Sequence, residues 1–179
     1  IPLEKISTIV NDVSLPAYSE LAREREAAAK LMLETIRMHA TVGFPIFWGL
    51  VATAEQVVPL LFGAKWAVAV WPLMAMAAIA PLRLIGSVET PAMAGLGKPG
   101  VLVATKLVIA PCMIVALAVG VSFRGVQGAA LAWLLAFPLC FVVAFRLVLG
   151  AIGLTLRDAV AVTSGPAIAA AIMAIGVWS

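Results

Sequence analysis

Two basic residues, Arg83 and Lys106, lie inside long apolar stretches where a charge is expensive to place. Arg83 occurs in the run Ala-Pro-Leu-Arg-Leu-Ile-Gly. Pro81 of this run loosens a helix, and Gly86 lets another helix approach closely. Charged side chains at such positions usually face a bundle interior or a water-filled cavity. Arg83 and Lys106 are therefore predicted to line a cavity that binds an anion.

Three further charged residues are candidates for lining or gating such a cavity: Glu89, Glu55 and Arg146. Simpler alternatives stay open for several of these positions. Arg146 and Lys106 can extend along the helix to reach lipid headgroups, and Glu55 can be solvated at the outer interface. Arg83 and Glu89 are six residues apart, a spacing that does not put them on one helix face.

Few of the groups used in catalysis are present. The chain has one His and two Cys, and its sequence contains neither the HExxH metal motif nor the GxxxxGK[ST] phosphate loop of ATP-driven motors. We therefore expect no catalytic residue, no metal and no cofactor, and a transporter or channel is favoured over an enzyme. Cys112 and Cys140 lie inside apolar runs and are predicted to pack as small hydrophobic side chains rather than to form a disulfide.

The elements that must position these residues are apolar helices. The 179-residue chain is 64% hydrophobic and 12% charged, with a mean hydropathy of +1.12, whereas soluble domains are about 45–50% apolar and about 25% charged. This composition excludes a soluble enzyme and predicts an all-α polytopic membrane protein. Apolar runs with the ~20-residue length of a spanning helix occur at 39–54 (continuing to 62), 66–88, 101–121, 126–149 and 159–178, which makes about five transmembrane helices.

Residues 1–37 differ from the rest, because they hold 11 of the 21 charged residues. Their first third is half apolar and fits the end of a truncated helix that borders a wet cavity. Ser14 and Pro16 mark a break and a new helix start, and residues 20–30 are typical of a charged amphipathic helix in the cytoplasm. The predicted organisation is a partial cavity-lining helix and a charged helix at 1–37, followed by a five-span bundle at 38–179.

Basic residues are distributed unevenly over the two ends of this bundle. If residues 14–38 are cytoplasmic, that side carries seven bases and the other side two, which is the bias typical of cytoplasmic loops. The loops at 93–99 and 150–158 are then inside, and those at 63–65 and 122–125 outside. The net charge of +3 follows from this sidedness and does not indicate binding to nucleic acid. The seven bases are Arg23, Arg25, Lys30, Arg37, Lys98, Arg146 and Arg157, and the two are Lys65 and Arg124.

Ordered sets of residues before position 100 resemble one transporter family. The first set is Val10-x-x-Val13-x-x-Pro16-Ala17-Tyr18-Ser19-x-Leu21. The second is Gly43-Phe44-Pro45, Gly49-Leu50-x-Ala52-x-Ala54-Glu55 and Leu60-Leu61-Phe62-Gly63-x-Lys65-Trp66, and a later one is Ala94-Gly95-Leu96-Gly97-Lys98-Pro99. Together they resemble the polysaccharide (O-antigen type) flippases of the multidrug/oligosaccharidyl-lipid/polysaccharide exporter superfamily. After position 100 the resemblance consists of hydropathy and spacing.

This resemblance implies two lobes of helices around a central cavity, and the chain would be most of the second lobe, an excerpt of a longer protein. It implies that an undecaprenyl-diphosphate-linked oligosaccharide or polysaccharide is moved across the bacterial inner membrane by alternating access. The partners would be the lipid bilayer, an anionic lipid-linked glycan facing Arg83 and Lys106, and a coupling ion such as H+ or Na+. A multidrug or peptidoglycan-precursor exporter of the same superfamily is an alternative, as is a membrane scaffold or enzyme subunit.

Overall fold

The computed structural model describes residues 15–178, and no β-strand occurs within that range. Helix α1 covers residues 15–20. A 3-10 turn (Leu21–Arg23), α2 (Arg25–Phe62), a 3-10 segment (Ala64–Ala69), α3 (Val70–Gly86), α4 (Glu89–Gly95), α5 (Pro99–Ile152) and α6 (Leu156–Trp178) follow in that order. The predicted all-α class is confirmed. The partial helix predicted for residues 1–13 and the cap predicted at Ser14 lie outside the described residues.

Helix α2 contains both the charged segment and the first apolar span. Glu24 has non-helical dihedral angles (φ −110°, ψ 81°), so the charged helix begins at Arg25 rather than at residue 20. At 38 residues and 1.5 Å per residue, α2 is about 57 Å long. It can therefore cross a hydrocarbon core of about 30 Å and still leave its charged turns in water. The domain boundary predicted between residues 37 and 38 falls inside this one helix.

Four helical stretches of the described chain are long and apolar enough to cross a membrane: Arg25–Phe62, Ala64–Gly95, Pro99–Ile152 and Leu156–Val177. The predicted third and fourth spans are both contained in α5. Within α5 the backbone leaves helical geometry at Arg124 (φ −141°, ψ 21°) and Gly125 (φ 55°, ψ −132°). These residues divide it into a first arm, 99–123, and a second arm, 126–152, each long enough to span a bilayer. The loop predicted at 122–125 is thus a two-residue reversal. The five predicted spans correspond to the four helices α2, α3, α5 and α6, because α5 contains two of them.

The two arms of α5 lie against each other as an antiparallel pair. Near the reversal, Gly120 and Gly128 are so close that a methyl group added to either would overlap the carbonyl oxygen of the other. Farther along, Cys112 and Cys140 form a disulfide, with their Cα atoms 6.9 Å apart. The prediction that these cysteines do not pair is therefore wrong. They are 28 residues apart in sequence, but the chain reverses midway between them and brings them to the same level.

Helix α2 is central to the bundle, since it packs along both α6 and α3, and α3 in turn packs against α5. One face of α2 carries buried side chains at every fourth residue, Ala28, Met32, Ile36 and Ala40. Large apolar side chains such as Leu107, Leu139 and Ile172 stay exposed on the outside of the bundle. An apolar outer surface is expected where helices contact lipid, because lipid tails are as apolar as these side chains.

The segments predicted to be cytoplasmic meet at one end of the bundle. Arg25 at the start of α2 donates a hydrogen bond from Nε to the carbonyl of Ile152 (2.8 Å). Lys98, just before α5, donates from Nζ to the carbonyl of Ala151 (2.5 Å). The reversal of α5 at Arg124 lies at the opposite end of the bundle, because each arm of α5 runs from one end of the bundle to the other. The structure therefore groups these segments as the charge distribution predicted, and the cytoplasmic location of this end stays a prediction.

Two of the motif segments contact each other at this end. Gly95 packs so tightly against α1 that an added methyl group would lie 2.6 Å from Tyr18 Cβ and 2.8 Å from the carbonyl oxygen of Leu15. The Tyr18 side chain is almost completely buried in this contact. The small residue at position 95 is therefore required by the packing of one motif segment on the other.

Candidate functional site

A cleft of about 240 Å³ lies between α3, α4 and the two arms of α5. Its lining consists of Arg83, Gly86, Ser87, Glu89, Thr90, Lys106, Ile109, Phe137 and Phe141. A break at residues 87–88 separates α3 from α4 and places polar side chains next to the apolar wall of α5. The structure thus brings Arg83 and Lys106, the two predicted cavity cations, to one cleft.

Glu89 is the acidic side chain of the cleft and the partner of Lys106. Glu89 is 6% exposed, and one of its carboxylate oxygens, Oε1, accepts a hydrogen bond from Lys106 Nζ, which also forms the ion pair. The Lys106 side chain is 63% exposed, whereas the Glu89 side chain that it contacts is only 8% exposed. The sequence did not predict this pair, because the two residues are on different helices and 17 positions apart.

Arg83 contacts an aromatic ring instead of a carboxylate. Its guanidinium carbon lies 5.3 Å from the ring centroid of Trp133, a cation–π geometry. Trp133 begins a column of aromatic rings on the second arm of α5, at spacings of four residues. The column continues through Phe137, Phe141 and Phe145, with neighbouring ring centroids 5.5, 5.9 and 4.9 Å apart. The sequence shows the four-residue spacing of these rings, but it does not show that Arg83 contacts Trp133.

Gly86 allows α3 to approach this aromatic column, as predicted. A methyl group added to Gly86 would lie 2.9 Å from Cε2 of Phe141. The close approach places Arg83, one turn earlier on α3, above the second arm of α5.

The other two predicted residues lie away from the cleft. Glu55 is exposed on α2, two turns before the end of that helix. Arg146 is exposed on the second arm of α5 and lines a separate cavity with Arg157. The structure therefore brings Arg83, Lys106 and Glu89 together and leaves Glu55 and Arg146 outside.

The charged groups of the cleft are of a kind that binds anions in proteins. Two cations and one carboxylate leave one positive charge in excess, and guanidinium and ammonium groups both donate hydrogen bonds to phosphate or carboxylate oxygens. Between residues 15 and 178, no group of three or more His, Cys, Asp and Glu side chains is arranged to hold a metal ion. Arg83 and Lys106 are the lining residues of this cleft whose cationic groups can donate hydrogen bonds to an anion.

The fold and the cleft define a multi-span helical membrane protein with a basic cleft between its helices. Residues 1–71 match the family described as "Polysaccharide biosynthesis protein". Over part of its length the chain is thus similar to proteins of polysaccharide biosynthesis and transport, which confirms the resemblance that the motifs indicated. No solved structure matches the chain.

Three curated relatives are similar to parts of the chain. The teichuronic acid biosynthesis protein TuaB of Bacillus subtilis is 33% identical over 85 residues, which are 48% of this chain and 18% of the relative. The succinoglycan biosynthesis transport protein ExoT of Rhizobium meliloti is 28% identical over 135 residues, 75% of this chain and 27% of the relative. The lipopolysaccharide biosynthesis protein WzxC of Escherichia coli is 25% identical over 87 residues, 49% of this chain and 18% of the relative. The chain thus matches about a quarter or less of each relative's length, and the name of one relative, ExoT, concerns transport.

Proposed function

We propose that this chain forms part of an exporter that moves a lipid-linked anionic glycan across the bacterial inner membrane. The substrate is an oligosaccharide or polysaccharide attached to undecaprenyl diphosphate, and transport proceeds by alternating access. The names of the three relatives, which concern teichuronic acid, succinoglycan and lipopolysaccharide, support a glycan substrate. The spanning helices support a location in a membrane.

The observation that carries the proposal is the cleft that contains Arg83 and Lys106 in an otherwise apolar bundle. A diphosphate is a strong acceptor for both cations. The cleft volume of about 240 Å³ is below the ~300 Å³ at which pockets begin to hold drug-sized ligands. The proposed site therefore binds the charged head of the lipid, and the glycan extends beyond it.

Glu89 acts in this proposal as the partner of Lys106 when no substrate is bound. A buried carboxylate without a partner is costly, so the ion pair keeps both groups in place in the empty cleft. An incoming diphosphate competes with Glu89 for the exposed ammonium group. Gating by Glu55 or Arg146 stays a prediction, since neither residue lies in the cleft. Coupling of transport to H+ or Na+ also stays a prediction.

Export by the full-length protein that carries this chain tests the proposal. In cells that lack the exporter, the double variant Arg83→Ala/Lys106→Ala is expected to restore polysaccharide export about tenfold less well than the wild-type protein. Loss of charge-assisted hydrogen bonds to an anion is large enough for an effect of this size. Cell-surface polysaccharide is measured together with the amount of exporter in the membrane.

The matched control is Arg124→Ala, which removes an exposed cation at the opposite end of the bundle. Normal export by the control and loss of export by the double variant support the proposed site. Full export by the double variant at a normal membrane level would show that Arg83 and Lys106 do not bind the substrate. A normal glycan phenotype in cells without the protein would favour another substrate, such as a drug or a peptidoglycan precursor.

A further inference from the structure

A second basic cavity lies where α5 ends and α6 begins. It has a volume of about 560 Å³ and is lined by Arg146, Leu149, Leu154, Thr155, Leu156 and Arg157. A tight turn fixes its shape, because the N–H groups of Gly153 and Leu154 both donate to the carbonyl of Leu149 (3.0 and 2.9 Å). Gly153 has a φ of 91°, which favours glycine at this turn.

Several other cations at this end of the bundle already have partners. Arg25 and Lys98 donate to the carbonyls of Ile152 and Ala151. These contacts compensate the partial negative charge at the C-terminal end of α5. Lys30 pairs with Glu34 on the surface of α2 (4.0 Å). These contacts account for three of the bases predicted to be cytoplasmic.

Arg146 and Arg157 have no hydrogen-bond or ion-pair partner among residues 15–178. Both residues line the same cavity. One carboxylate oxygen of Asp158, Oδ2, accepts hydrogen bonds from the N–H and the hydroxyl of Thr155 (2.8 Å each). Guanidinium groups bind phosphate oxygens with parallel hydrogen bonds, so two unpaired arginines at one cavity suit a phosphate group.

Next to Arg146, the exposed face of α5 is apolar toward the middle of the second arm. Val143, Val142 and Leu139 precede Arg146 by three, four and seven residues, and they therefore share its face of α5. All three are exposed (55%, 43% and 71%). A cationic site at the end of such a stripe suits a ligand with an anionic head and a hydrocarbon tail.

We propose that Arg146 and Arg157 bind the phosphate of an anionic phospholipid, whose acyl chain lies along the apolar stripe of α5. Basic pockets between membrane helices at the cytoplasmic interface are suited to such headgroups. The site is separate from the cleft at Arg83 and does not depend on transport. In this proposal the surrounding bilayer supplies the ligand.

Thermal unfolding of the purified full-length protein in neutral detergent tests this site. Phosphatidylglycerol, phosphatidylcholine or water-soluble glycerol phosphate is titrated in separate arms. We expect phosphatidylglycerol to raise the melting temperature, and the variant Arg146→Gln/Arg157→Gln to weaken its apparent affinity by tenfold to about thirtyfold. Arg146→Lys/Arg157→Lys is expected to retain part of the affinity, because it keeps the charges and loses the bidentate geometry.

The control variant is Arg23→Gln/Lys30→Gln, which removes two exposed bases at the same end but outside the cavity. A response to phosphatidylglycerol that is lost in the first variant and kept in the control supports the site. Equal loss in both variants would show general surface attraction and overturn the proposal. The same shift with phosphatidylcholine would show a detergent or acyl-chain effect, and the same shift with glycerol phosphate would show a soluble phosphate site; either result excludes a phospholipid site.

Discussion

At the level of single residues, burial of a polar group is costly unless a partner compensates it. Glu89 is buried and has Lys106 as its partner. Arg83 lies over the ring of Trp133, which offers the negative face of its π-system. Tyr18 shows the opposite case, because its buried hydroxyl has no hydrogen-bond partner among residues 15–178. The hydroxyl of nearby Thr35 donates instead to the carbonyl of Leu31 (2.8 Å).

Burial raises the pKa of Tyr18 from 10.0 to about 12, against a smaller lowering by the Thr35 side chain. A group whose pKa is raised on folding contributes stability below its unfolded pKa and loses that contribution as the pH rises through the folded value. The wild-type protein is therefore expected to lose stability between pH 10 and about 12. Tyr18→Phe should be neutral or stabilising by up to about 1 kcal/mol at pH 7, and its advantage should grow above pH 10.

Thermal unfolding of both proteins between pH 7 and pH 12 measures this difference. A Tyr18→Phe variant that is clearly less stable at pH 7 would indicate a hydrogen bond to the hydroxyl and contradict the prediction. If the stability advantage of Tyr18→Phe over the wild-type protein stays constant up to the highest pH, the pKa of the Tyr18 phenol is the same in the folded and the unfolded state.

At the level of elements, the hairpin of α5 depends on the absence of side chains at two positions. Gly120 and Gly128 allow the two arms to meet directly after the reversal at Arg124 and Gly125. Hydropathy predicted two spans here, since each arm is apolar and long enough. Hydropathy could not predict how closely the two arms pack, because an apolar run of this kind can contain alanine, valine or glycine at any position.

Gly128→Ala is expected to push the arms apart, since the new methyl group would overlap the carbonyl oxygen of Gly120. Overpacking of this kind costs about 1–3 kcal/mol, which should lower the melting temperature of the full-length protein in detergent. The control is Gly150→Ala, a helical position where an added methyl group meets no atom within 4 Å. If both variants melt at the wild-type temperature, the arms are not in the contact described.

For the whole molecule, the distribution of charge predicts which end faces the cytoplasm. Arg25 and Lys98 are at the same end as the turn between α5 and α6, and the reversal at Arg124 is at the other. The structure determines the two ends, while the bilayer and the insertion process determine their orientation.

Cysteine labelling in cells measures this orientation. Cys112 and Cys140 are first replaced by serine, and single cysteines are introduced at Lys30, Lys65 or Arg124, all of which are exposed. A membrane-impermeant thiol reagent is expected to label positions 65 and 124 in intact cells, and position 30 after the membrane is opened. Labelling of position 30, but not of positions 65 and 124, in intact cells would show that the topology is the reverse of the predicted one.

Much of this protein could be predicted from its sequence because the signals are local. A run of apolar residues must form a helix in lipid, since unsatisfied backbone groups are too costly there, and Arg83 or Lys106 in such a run stands out without any structure. The partners of those residues depended on the tertiary structure. Whether Lys106 meets Glu89, Arg83 meets Trp133, or Cys112 meets Cys140 depends on the rotation and depth of each helix. Those are set by close packing at residues such as Gly86 and Gly128, and a hydropathy pattern does not encode them.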